Sequence, residues 1–310
     1  MVEFHMFPYA FFEGDFVPSD QAKVNIATHA LQYGTGCFGG IRGYVDRDGT
    51  TINIFRLRDH TQRLLQSARL LRANVPYDAD DIAGIVTDLI RKNAPRQNVY
   101  IRPFIYKAEL ALTPRLAGLR DALAIYMIEL DDYLDLSAPV RLMVSSWQRI
   151  EDNIIPSRGK VTGAYINSSL AKDQASDAGY DDAIMLNRDG KIAEASGANI
   201  FIVRHGTLIT PPVTEDILEG ITRRSLVEFA RDAGIPVAER SIDRSELYIA
   251  DEAFLCGTGV QIAAIGSIDG RPIGDGKLGP VTSQLQSIYF SLVRGDDSPY
   301  RHYLTQVTAD

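Results

Sequence analysis

Apolar residues recur along the chain at two spacings, one typical of helices and one typical of strands. Leu64, Ala68 and Leu71 share one face of a helix that we predict over residues 59–72, with Asp59 as its N-cap. Other helical patterns begin near Tyr165 and Ile221 or cover residues 79–92 and 281–293. Runs rich in β-branched and aromatic residues predict strands at 99–109, 122–130, 140–147, 183–186, 192–203 and 208–209, and a strand pair at 253–268. This mixture predicts an α/β (α+β) fold.

The length of the chain favours two domains. A chain of 310 residues exceeds the usual size of one hydrophobic core. An acidic, weakly patterned segment follows the last predicted strand of the first half. We therefore predict an N-terminal α/β domain at 1–131, an interdomain link at 132–139 and a C-terminal domain at 140–310. In the second half, turns at His205-Gly206 and Asp269-Gly270 predict antiparallel pairing.

Composition and charge exclude several classes of protein. The hydrophobic fraction of 45% and the charged fraction of 23% are ordinary for a globular chain. The net charge of -8 argues against a nucleic-acid partner or an anionic membrane. The sequence has no run of about 20 apolar residues and no basic segment before an apolar N-terminus. Cys37 and Cys256 resemble small buried thiols, so we predict a cytoplasmic protein.

Two short motifs contain residues suited to pyridoxal phosphate chemistry. Lys160 lies in the run Ser157–Tyr165, and Glu194 follows about one helix and one strand later. The cofactor needs an amine to form its Schiff base and an acid to keep its pyridine nitrogen protonated. The chain contains only seven lysines, which leaves few candidates for the amine. These motifs therefore predict a transaminase.

A phosphate group requires hydrogen-bond donors, and two segments offer them. The run Gly220-Ile221-Thr222 lies at the start of a predicted helix, where backbone N–H groups attract anions. Arg58 could add a bidentate cation. Simpler interpretations stay open at this point: Thr222 as an ordinary N-cap, Arg58 as a surface arginine, and Glu194 as an edge-strand carboxylate.

Motifs of other enzyme classes are absent from the sequence. The five histidines are scattered and no pair of cysteines is near them, so we predict no metal site. No Gly-x-Ser-x-Gly elbow of a hydrolase occurs. No Walker loop and no Gly-x-Gly-x-x-Gly after a strand occur either.

In these motifs, the chain resembles the branched-chain aminotransferases, which belong to the class IV (D-amino-acid-aminotransferase-like) group of pyridoxal 5'-phosphate enzymes. The resemblance runs from about Phe12 to Gly295. It implies a two-domain fold with a smaller N-terminal α/β domain and a larger C-terminal pseudo-barrel domain. The matching segments are His29–Gly36, Gly40–Arg42, Phe55–His60, Tyr100–Pro103, Lys160 with Tyr165, Glu194, Gly220–Arg223 and Gly257-Thr258.

The resemblance also implies roles for the residues around the cofactor. Lys160 would be the Schiff-base lysine and would move the proton between the substrate Cα and the cofactor C4′. Tyr165 would hydrogen-bond the phenolate oxygen, and Glu194 would pair with the pyridine nitrogen. Leu218 would pack on the ring face. The phosphate would be bound by Arg58, Ile221, Thr222 and Thr258.

The implied reaction transfers an amino group from L-leucine, L-isoleucine or L-valine to 2-oxoglutarate. Aromatic walls suit an aliphatic side chain, and Arg102 is the candidate for the distal carboxylate of glutamate. The resemblance also implies at least a homodimer whose sites borrow residues from the neighbouring subunit. The implied substrate-binding residues are Tyr33, Phe38, Gly40, Arg102, Tyr133, Gly259 and Val260.

Three departures from the family pattern affect the substrate range. Gly39 replaces a glutamate, Ala198 replaces a second acid after Glu194, and Gly259-Val260-Gln261 replaces the usual Ala-Ala-Glu. The competing hypotheses are a D-amino-acid or (R)-selective amine transaminase, an aminodeoxychorismate lyase, and a non-catalytic binding protein that keeps the fold. Reaction with L-leucine, D-alanine and (R)-1-phenylethylamine discriminates among the enzymes.

Overall fold

The computed structural model describes residues 5–130 and 138–308. The chain folds into two compact units. The first comprises Met1–Tyr133, Gly159–Gly163 and Phe290–Asp310, and the second comprises Leu134–Arg158 and Ala164–Tyr289. The predicted link at 132–139 lies mostly outside the described residues.

The described part of the chain contains seventeen strands and seven α-helices. The strands are β1 (Tyr9–Phe12), β2 (Asp15–Pro18), β3 (Gly36–Phe38), β4 (Ile41–Val45), β5 (Thr51–Phe55), β6 (Val99–Lys107), β7 (Asp121–Glu129), β8 (Val140–Val144), β9 (Asp182–Leu186), β10 (Ile192–Ala195), β11 (Asn199–Arg204), β12 (Thr207–Thr210), β13 (Val237–Glu239), β14 (Glu252–Gly257), β15 (Gln261–Ile268), β16 (Arg271–Pro272) and β17 (Leu304–Thr308). The helices are α1 (His29–Tyr33), α2 (Leu57–Leu70), α3 (Ala79–Asn93), α4 (Tyr165–Asp177), α5 (Ile221–Asp232), α6 (Arg244–Leu247) and α7 (Pro280–Val293).

The first unit contains an eight-stranded sheet with the order β17-β5-β4-β6-β7-β1-β2 and with β3 paired to β6, counted over the described residues. Strands β4 to β6 supply fully buried isoleucines, and α2 and α3 cover them with Leu64 and Leu89. The C-terminal strand β17 pairs antiparallel with β5 along its whole length. Hydrogen bonding across the sheet therefore fixes the C-terminus to the first unit.

This pairing corrects the predicted domain assignment, which placed everything from residue 140 onward in one C-terminal domain. Gly159–Gly163 and Phe290–Asp310 belong to the first unit. The physical reason is non-local backbone pairing: β17 adds to β5, and Val161 forms an antiparallel bridge with Cys37. Neither partner is near in sequence, so no local pattern reveals them.

Helix α2 begins two residues before the predicted start. Its N-cap is Arg56, in the left-handed conformation at φ 50°, and Leu57 is already helical and buried. Asp59 lies in the first turn instead, where it pairs with Arg56 at 3.1 Å. A carboxylate in the first turn still stabilises the helix through its dipole.

The second unit contains a nine-stranded sheet with the order β10-β9-β8-β15-β14-β11-β12-β13 and with β16 paired to β15, again over the described residues. The predicted hairpin at His205-Gly206 is confirmed, because both residues have positive φ and β11 pairs antiparallel with β12. The strand predicted at 192–203 is divided into β10 and β11, because the N–H of Ala195 binds the carbonyl of Ala198 and reverses the chain.

None of the helices within the described ranges combines the length and the apolar character needed to span a membrane.

A cluster of charges in the second unit makes its stability depend on pH. Hydrogen bonds from Arg240 and Arg204 lower the pKa of Glu246 to about 2. Because the pKa is lower in the folded chain, the ion pairs stabilise the fold at neutral pH, and this stabilisation is lost as the pH falls from about 5 toward about 2. We expect Glu246→Gln to remove about 2 kcal/mol of this pH-dependent stability, after allowance for the partly exposed Arg240.

The test is urea unfolding of the wild type and Glu246→Gln at a series of acidic pH values. The free energy of unfolding of the wild type should fall more steeply than that of the variant. Parallel curves would show that the cluster does not control acid stability.

Candidate active site

Lys160 is held by backbone hydrogen bonds within the first unit. The N–H of Phe38 donates to the carbonyl of Lys160 at 3.0 Å, and the adjacent Val161 bridges Cys37. The N–H of Lys160 donates to the hydroxyl of Ser67 at 3.1 Å, and Ser67 is only 1% exposed. The hydroxyl of Ser67 donates in turn to the carbonyl of Arg63 at 2.9 Å. The lysine backbone is thus fixed to β3 on one side and to α2 on the other.

Gly34, which precedes β3, and Gly163, which follows the lysine segment, allow the two backbones to approach closely. Gly34 has φ 66°, and a Cβ added there would lie 2.9 Å from the Cα of Gly163. The N–H of Gly163 donates to the carbonyl of Gly34 at 3.1 Å. The hydroxyl of Thr162 donates to the same carbonyl at 2.7 Å. A side chain at either glycine would push the lysine segment away from β3.

Two cationic side chains lie near the aromatic ring of Phe38. The Nζ of Lys160 lies 5.1 Å from the centre of this ring, and the Cζ of Arg102 lies 4.6 Å from the same centre. Arg102 also donates a hydrogen bond to the hydroxyl of Tyr100 at 2.8 Å. Gly40 makes room for that hydroxyl, because a Cβ at Gly40 would lie 2.3 Å from it. The structure therefore brings together Lys160, Phe38, Gly40 and Arg102, all predicted as site residues.

Another predicted substrate residue, Tyr33, does not join this group. Tyr33 is 42% exposed on α1, where its ring lies 4.7 Å from that of His29. Tyr133 lies outside the described residues.

Gly39 is buried beside Phe38, and a Cβ there would lie 2.8 Å from the Cγ of Pro103. The backbone at Gly39 is thus fitted to glycine and not to the glutamate usual in the family.

The structure does not place Arg58 with Lys160. Its side chain is 65% exposed and pairs with Asp80 at 2.7 Å, and the hydrogen bond from Asp80 raises the pKa of Arg58. At about 100° per residue, Arg58 lies about 180° from Ser67 around α2, whereas Arg63 lies about 40° away. Arg63 is half-buried, and its backbone carbonyl accepts the hydrogen bond from the hydroxyl of Ser67. The arginine of α2 that faces the lysine segment is therefore Arg63, and the prediction failed because the phase of the helix decides which residue faces inward.

Glu194 lies on β10 in the second unit and is 5% exposed. Its Oε1 pairs with the guanidinium of Arg149 at 2.8 Å. Its Oε2 accepts hydrogen bonds from the side-chain amide of Asn199 at 2.9 Å and from the N–H of Leu218 at 3.1 Å. Glu194 does lie on an edge strand, as the simpler interpretation predicted, because β10 is the last strand of its sheet. Its carboxylate is nevertheless buried, and both of its oxygens are bound.

Asn199 connects the parts of the site within the second unit. Its amide donates to Glu194 and also to the carbonyl of Leu218 at 3.0 Å. A Cβ at Gly220 would lie only 1.9 Å from its Oδ1. Sequence patterns assign no role to Asn199 or Arg149. Their signal is weak because asparagine and arginine become informative only when their partners are known.

Helix α5 begins with a polar end that no side chain of the described residues caps. Gly220 is the N-cap residue, and it makes no side-chain cap hydrogen bond. Ile221 and Thr222 are the first two helical residues and are 5% and 4% exposed. The first N–H groups of a helix have no partner within it and carry partial positive charge. The interpretation of Thr222 as an ordinary N-cap is therefore wrong, and this end of the helix suits an anion.

The remaining predicted site residues also belong to the second unit. Thr258, Gly259 and Val260 form the turn between β14 and β15, with Gly257 paired to Gln261. A Cβ at Gly257 would lie 3.9 Å from both the Cα of Ala198 and the carbonyl oxygen of Gly197, so this turn lies beside the one that follows Glu194. Tyr165 is half-buried at the first position of α4.

The close approach of Gly220 to Asn199 makes a testable prediction. Because the φ of Gly220 is -68°, alanine suits the backbone, and the effect of Gly220→Ala is purely steric. We expect the free energy of unfolding to fall by about 1–3 kcal/mol, the usual effect of overpacking. Denaturant unfolding measures it. Gly84→Ala is the control, since a Cβ there meets nothing within 4 Å and α3 should gain stability. Equal stability of both variants would contradict the predicted clash.

Partial burial beside an aromatic ring distinguishes Lys160 from the other six lysines. Lys107 is 1% exposed, but its ammonium pairs with Asp121 at 2.8 Å. Lys191 pairs with Asp243, and Lys172 lies 3.8 Å from Asp182. The remaining three, Lys23, Lys92 and Lys277, are exposed. Lys160 combines partial burial with an aromatic surface next to its amine.

Comparisons with known proteins establish the family. The model of the amino-transferase class IV family matches residues 36–268. The chain belongs to the class IV aminotransferases. A probable branched-chain-amino-acid aminotransferase of Aquifex aeolicus is 46% identical over 300 residues, which cover 96% of each chain. The predicted resemblance is therefore confirmed.

Solved structures confirm the predicted fold class. The branched-chain aminotransferase of Thermoproteus uzoniensis with norvaline superposes with a TM-score of 0.93 at 41% identity and covers 97% of this chain and 99% of its own. The T.th. branched-chain amino acid aminotransferase complexed with N-(5'-phosphopyridoxyl)-L-glutamate has a TM-score of 0.90 at 36% identity, covering 96% of this chain and 98% of its own.

Proposed function

We propose that this chain transfers the amino group of L-leucine, L-isoleucine or L-valine to 2-oxoglutarate with pyridoxal 5'-phosphate as cofactor. The near full-length similarity to branched-chain aminotransferases is the observation that carries this proposal. The complex of a relative with N-(5'-phosphopyridoxyl)-L-glutamate supports both the cofactor and glutamate. When bound, the cofactor supplies an electron-withdrawing ring that stabilises negative charge at the substrate Cα.

The residues of this chain fit the cofactor. A half-buried lysine is fixed by its own backbone, a carboxylate is buried and ionically paired, and a helix of twelve residues begins at an N-cap glycine that has no side chain to cap it. These three features suit the aldehyde, the ring nitrogen and the phosphate of pyridoxal phosphate, respectively.

Lys160 has two roles in this proposal. Its amine would hold the cofactor through a covalent bond, and the same amine would move the proton between the substrate Cα and the cofactor C4′. Rigid backbone pairing on both sides limits the positions that the amine can occupy. Such positioning contributes to rate by holding the proton donor within reach.

The remaining cofactor residues hold and orient the ring. We assign to Glu194 the pairing with the ring nitrogen, to Tyr165 the phenolate oxygen and to Leu218 contact with the ring face. The phosphate is assigned to Ile221, Thr222 and Thr258. Arg63 replaces Arg58 in this last group, because Arg58 points away from the lysine segment and is paired with Asp80.

The substrate residues divide into an apolar and a polar part. Phe38 offers an aromatic surface to the aliphatic side chain, and Arg102, held by Tyr100, offers a guanidinium to the distal carboxylate of glutamate or 2-oxoglutarate. Gly40 maintains this pair by leaving space for the Tyr100 hydroxyl. We assign the substrate α-carboxylate to the turn at Gly259-Val260.

The half-reaction tests the proposed substrates. The cofactor-loaded protein is mixed separately with L-leucine, D-alanine and (R)-1-phenylethylamine, and the cofactor absorption is followed. We expect rapid loss of the initial absorption with L-leucine and its recovery on addition of 2-oxoglutarate. Faster reaction with D-alanine or the (R)-amine than with L-leucine would replace the proposal with the corresponding transaminase.

We further propose that the chain acts as at least a homodimer. An exposed apolar surface, here called the α1 patch, surrounds α1 in the first unit. Hydrogen bonds join its two segments: the N–H of His29 donates to Glu109, and the amide of Gln32 reaches Ala111. Exposed apolar surfaces of this kind mark interaction sites. The patch consists of Val24, Ile26, Leu31, Tyr33, Leu110 and Leu112, which are 42–86% exposed.

Sedimentation tests this assembly. We expect the wild type to sediment as a dimer or larger and the Leu112→Asp variant to dissociate, because a buried carboxylate opposes association. Ile249→Asp, at another exposed apolar residue, is the control. A wild type that is monomeric and fully active would overturn the proposal.

Both cysteines are free and buried, which supports our further proposal that the enzyme is cytoplasmic.

A further inference from the structure

Arg149 is a buried cation that pairs directly with Glu194. The two side chains are 9% and 7% exposed, and Arg149 Nη2 lies 2.8 Å from Glu194 Oε1. The Nε of Arg149 donates to the backbone carbonyl of Asp216 at 3.2 Å. The backbone N–H of Arg149 donates to the carbonyl of Leu186 on β9 at 2.8 Å. The guanidinium is thus held by Glu194 and by Asp216, while the backbone of Arg149 is held by β9.

The same network fixes the loop that leads to α5. Asp216 has φ 58°, and its side chain accepts a hydrogen bond from the N–H of Asp152 at 3.0 Å. Two residues later, the N–H of Leu218 donates to Glu194. Arg149 therefore contacts both the carboxylate and the loop that donates to the same carboxylate.

We infer that Arg149 is a positioning residue that keeps the shared proton on the pyridine nitrogen of the cofactor and away from Glu194. This inference rests on the proposed function of Glu194. A buried carboxylate without a cation has a high affinity for protons, because desolvation disfavours its charged form. The paired guanidinium reverses that preference, so the carboxylate stays negative while the ring nitrogen stays protonated. A protonated ring withdraws electrons more strongly and speeds the loss of the Cα proton.

The test separates the charge of Arg149 from its hydrogen bonds. Arg149→Gln keeps donors for Glu194 and Asp216 but removes the charge, and Arg149→Lys keeps the charge. Each variant is loaded with pyridoxal phosphate labelled with ¹⁵N in the ring, and the chemical shift of the ring nitrogen is measured. Glu194→Gln gives the reference for a nitrogen that lacks its carboxylate. Arg188→Met, at an arginine 67% exposed and paired with Glu151, is the control.

We expect the resonance of Arg149→Gln to lie near that of Glu194→Gln, with turnover lower by at least about tenfold, the equivalent of one pKa unit. Arg149→Lys and Arg188→Met should keep the wild-type resonance. A wild-type resonance in Arg149→Gln would overturn the inference, as would a resonance in Arg149→Lys that matches Glu194→Gln.

Thermal unfolding without added cofactor provides a second measurement. Removal of one partner leaves the other charge buried alone, so Arg149→Gln and Glu194→Gln should each lower Tm by about 5 °C or more. The double variant should lose clearly less than the sum, whereas additive losses would show that the pair is not coupled. Failure of the proposed function would give a different result, because the wild type itself would then not react with L-leucine.

Discussion

Replacing Lys160 by alanine is expected to abolish transamination, with a loss of turnover of about 10⁴-fold or more. In the proposed function, the lysine forms the covalent bond to the cofactor and moves the proton, and a residue that acts in both steps cannot be replaced by its neighbours. The other lysines are exposed or paired with carboxylates, so none is placed to substitute. Turnover with L-leucine and 2-oxoglutarate measures the effect.

Two controls support the interpretation of this variant. Lys92→Ala removes an exposed lysine and should leave turnover unchanged. Borohydride treatment of the cofactor-loaded wild type, followed by peptide mapping, should place the cofactor on Lys160. A label on another lysine, or near-normal turnover of Lys160→Ala, would refute the assignment.

The Glu194→Gln substitution is expected to lower turnover by about 10²–10³-fold, within the range found for other electrostatic contacts to developing charge. Glutamine has the size of glutamate but no negative charge, so it cannot hold a proton on the ring nitrogen. The charge of Arg149 is then left without its partner, and a loss of stability should accompany the loss of rate. Single-turnover kinetics at saturating L-leucine measure the chemical step apart from substrate binding.

Glu252→Gln is a useful comparison, because Glu252 is also a buried carboxylate of the second unit. Its oxygens accept hydrogen bonds from Val281 and Thr282 at the start of α7, so its role is structural. We expect this variant to lose stability but to keep the rate of the chemical step. A near-normal rate in Glu194→Gln would mean that the ring nitrogen has another partner.

Sequence patterns predict the helices and strands well wherever one buried face repeats over several turns. Helix α3 is predicted over 79–92 and covers Ala79–Asn93, with Asp78 and Asp81 forming a capping box. The predicted start of α2 is wrong, because Arg56 adopts a left-handed conformation that local propensity disfavours. The guanidinium of Arg56 lies 3.5 Å from the ring centre of Tyr303, at the far end of the chain. Tertiary packing therefore overrides the local signal there.

Two of the three departures from the family pattern have local explanations. Gly39 packs against Pro103, which leaves no room for a side chain without movement. Ala198 is 6% exposed in the turn next to Gly257, where a larger acid would need a polar partner. These substitutions alter the surroundings of Phe38 and of the turn at Thr258, so they bear on substrate range and leave Lys160 and Glu194 in place.

By itself, the sequence determined the family and the fold class, and it predicts Lys160 and Glu194 as the two residues with the central chemistry. These follow from rare residue types in ordered motifs, and such information is local. Only the tertiary structure decided that Arg63 and not Arg58 faces the lysine segment, that Arg149 and Asn199 hold Glu194, and that the C-terminal strand belongs to the first unit. The physical reason is that helix phase, ion pairing and strand addition depend on partners distant in sequence, and these partners meet only when the chain is folded.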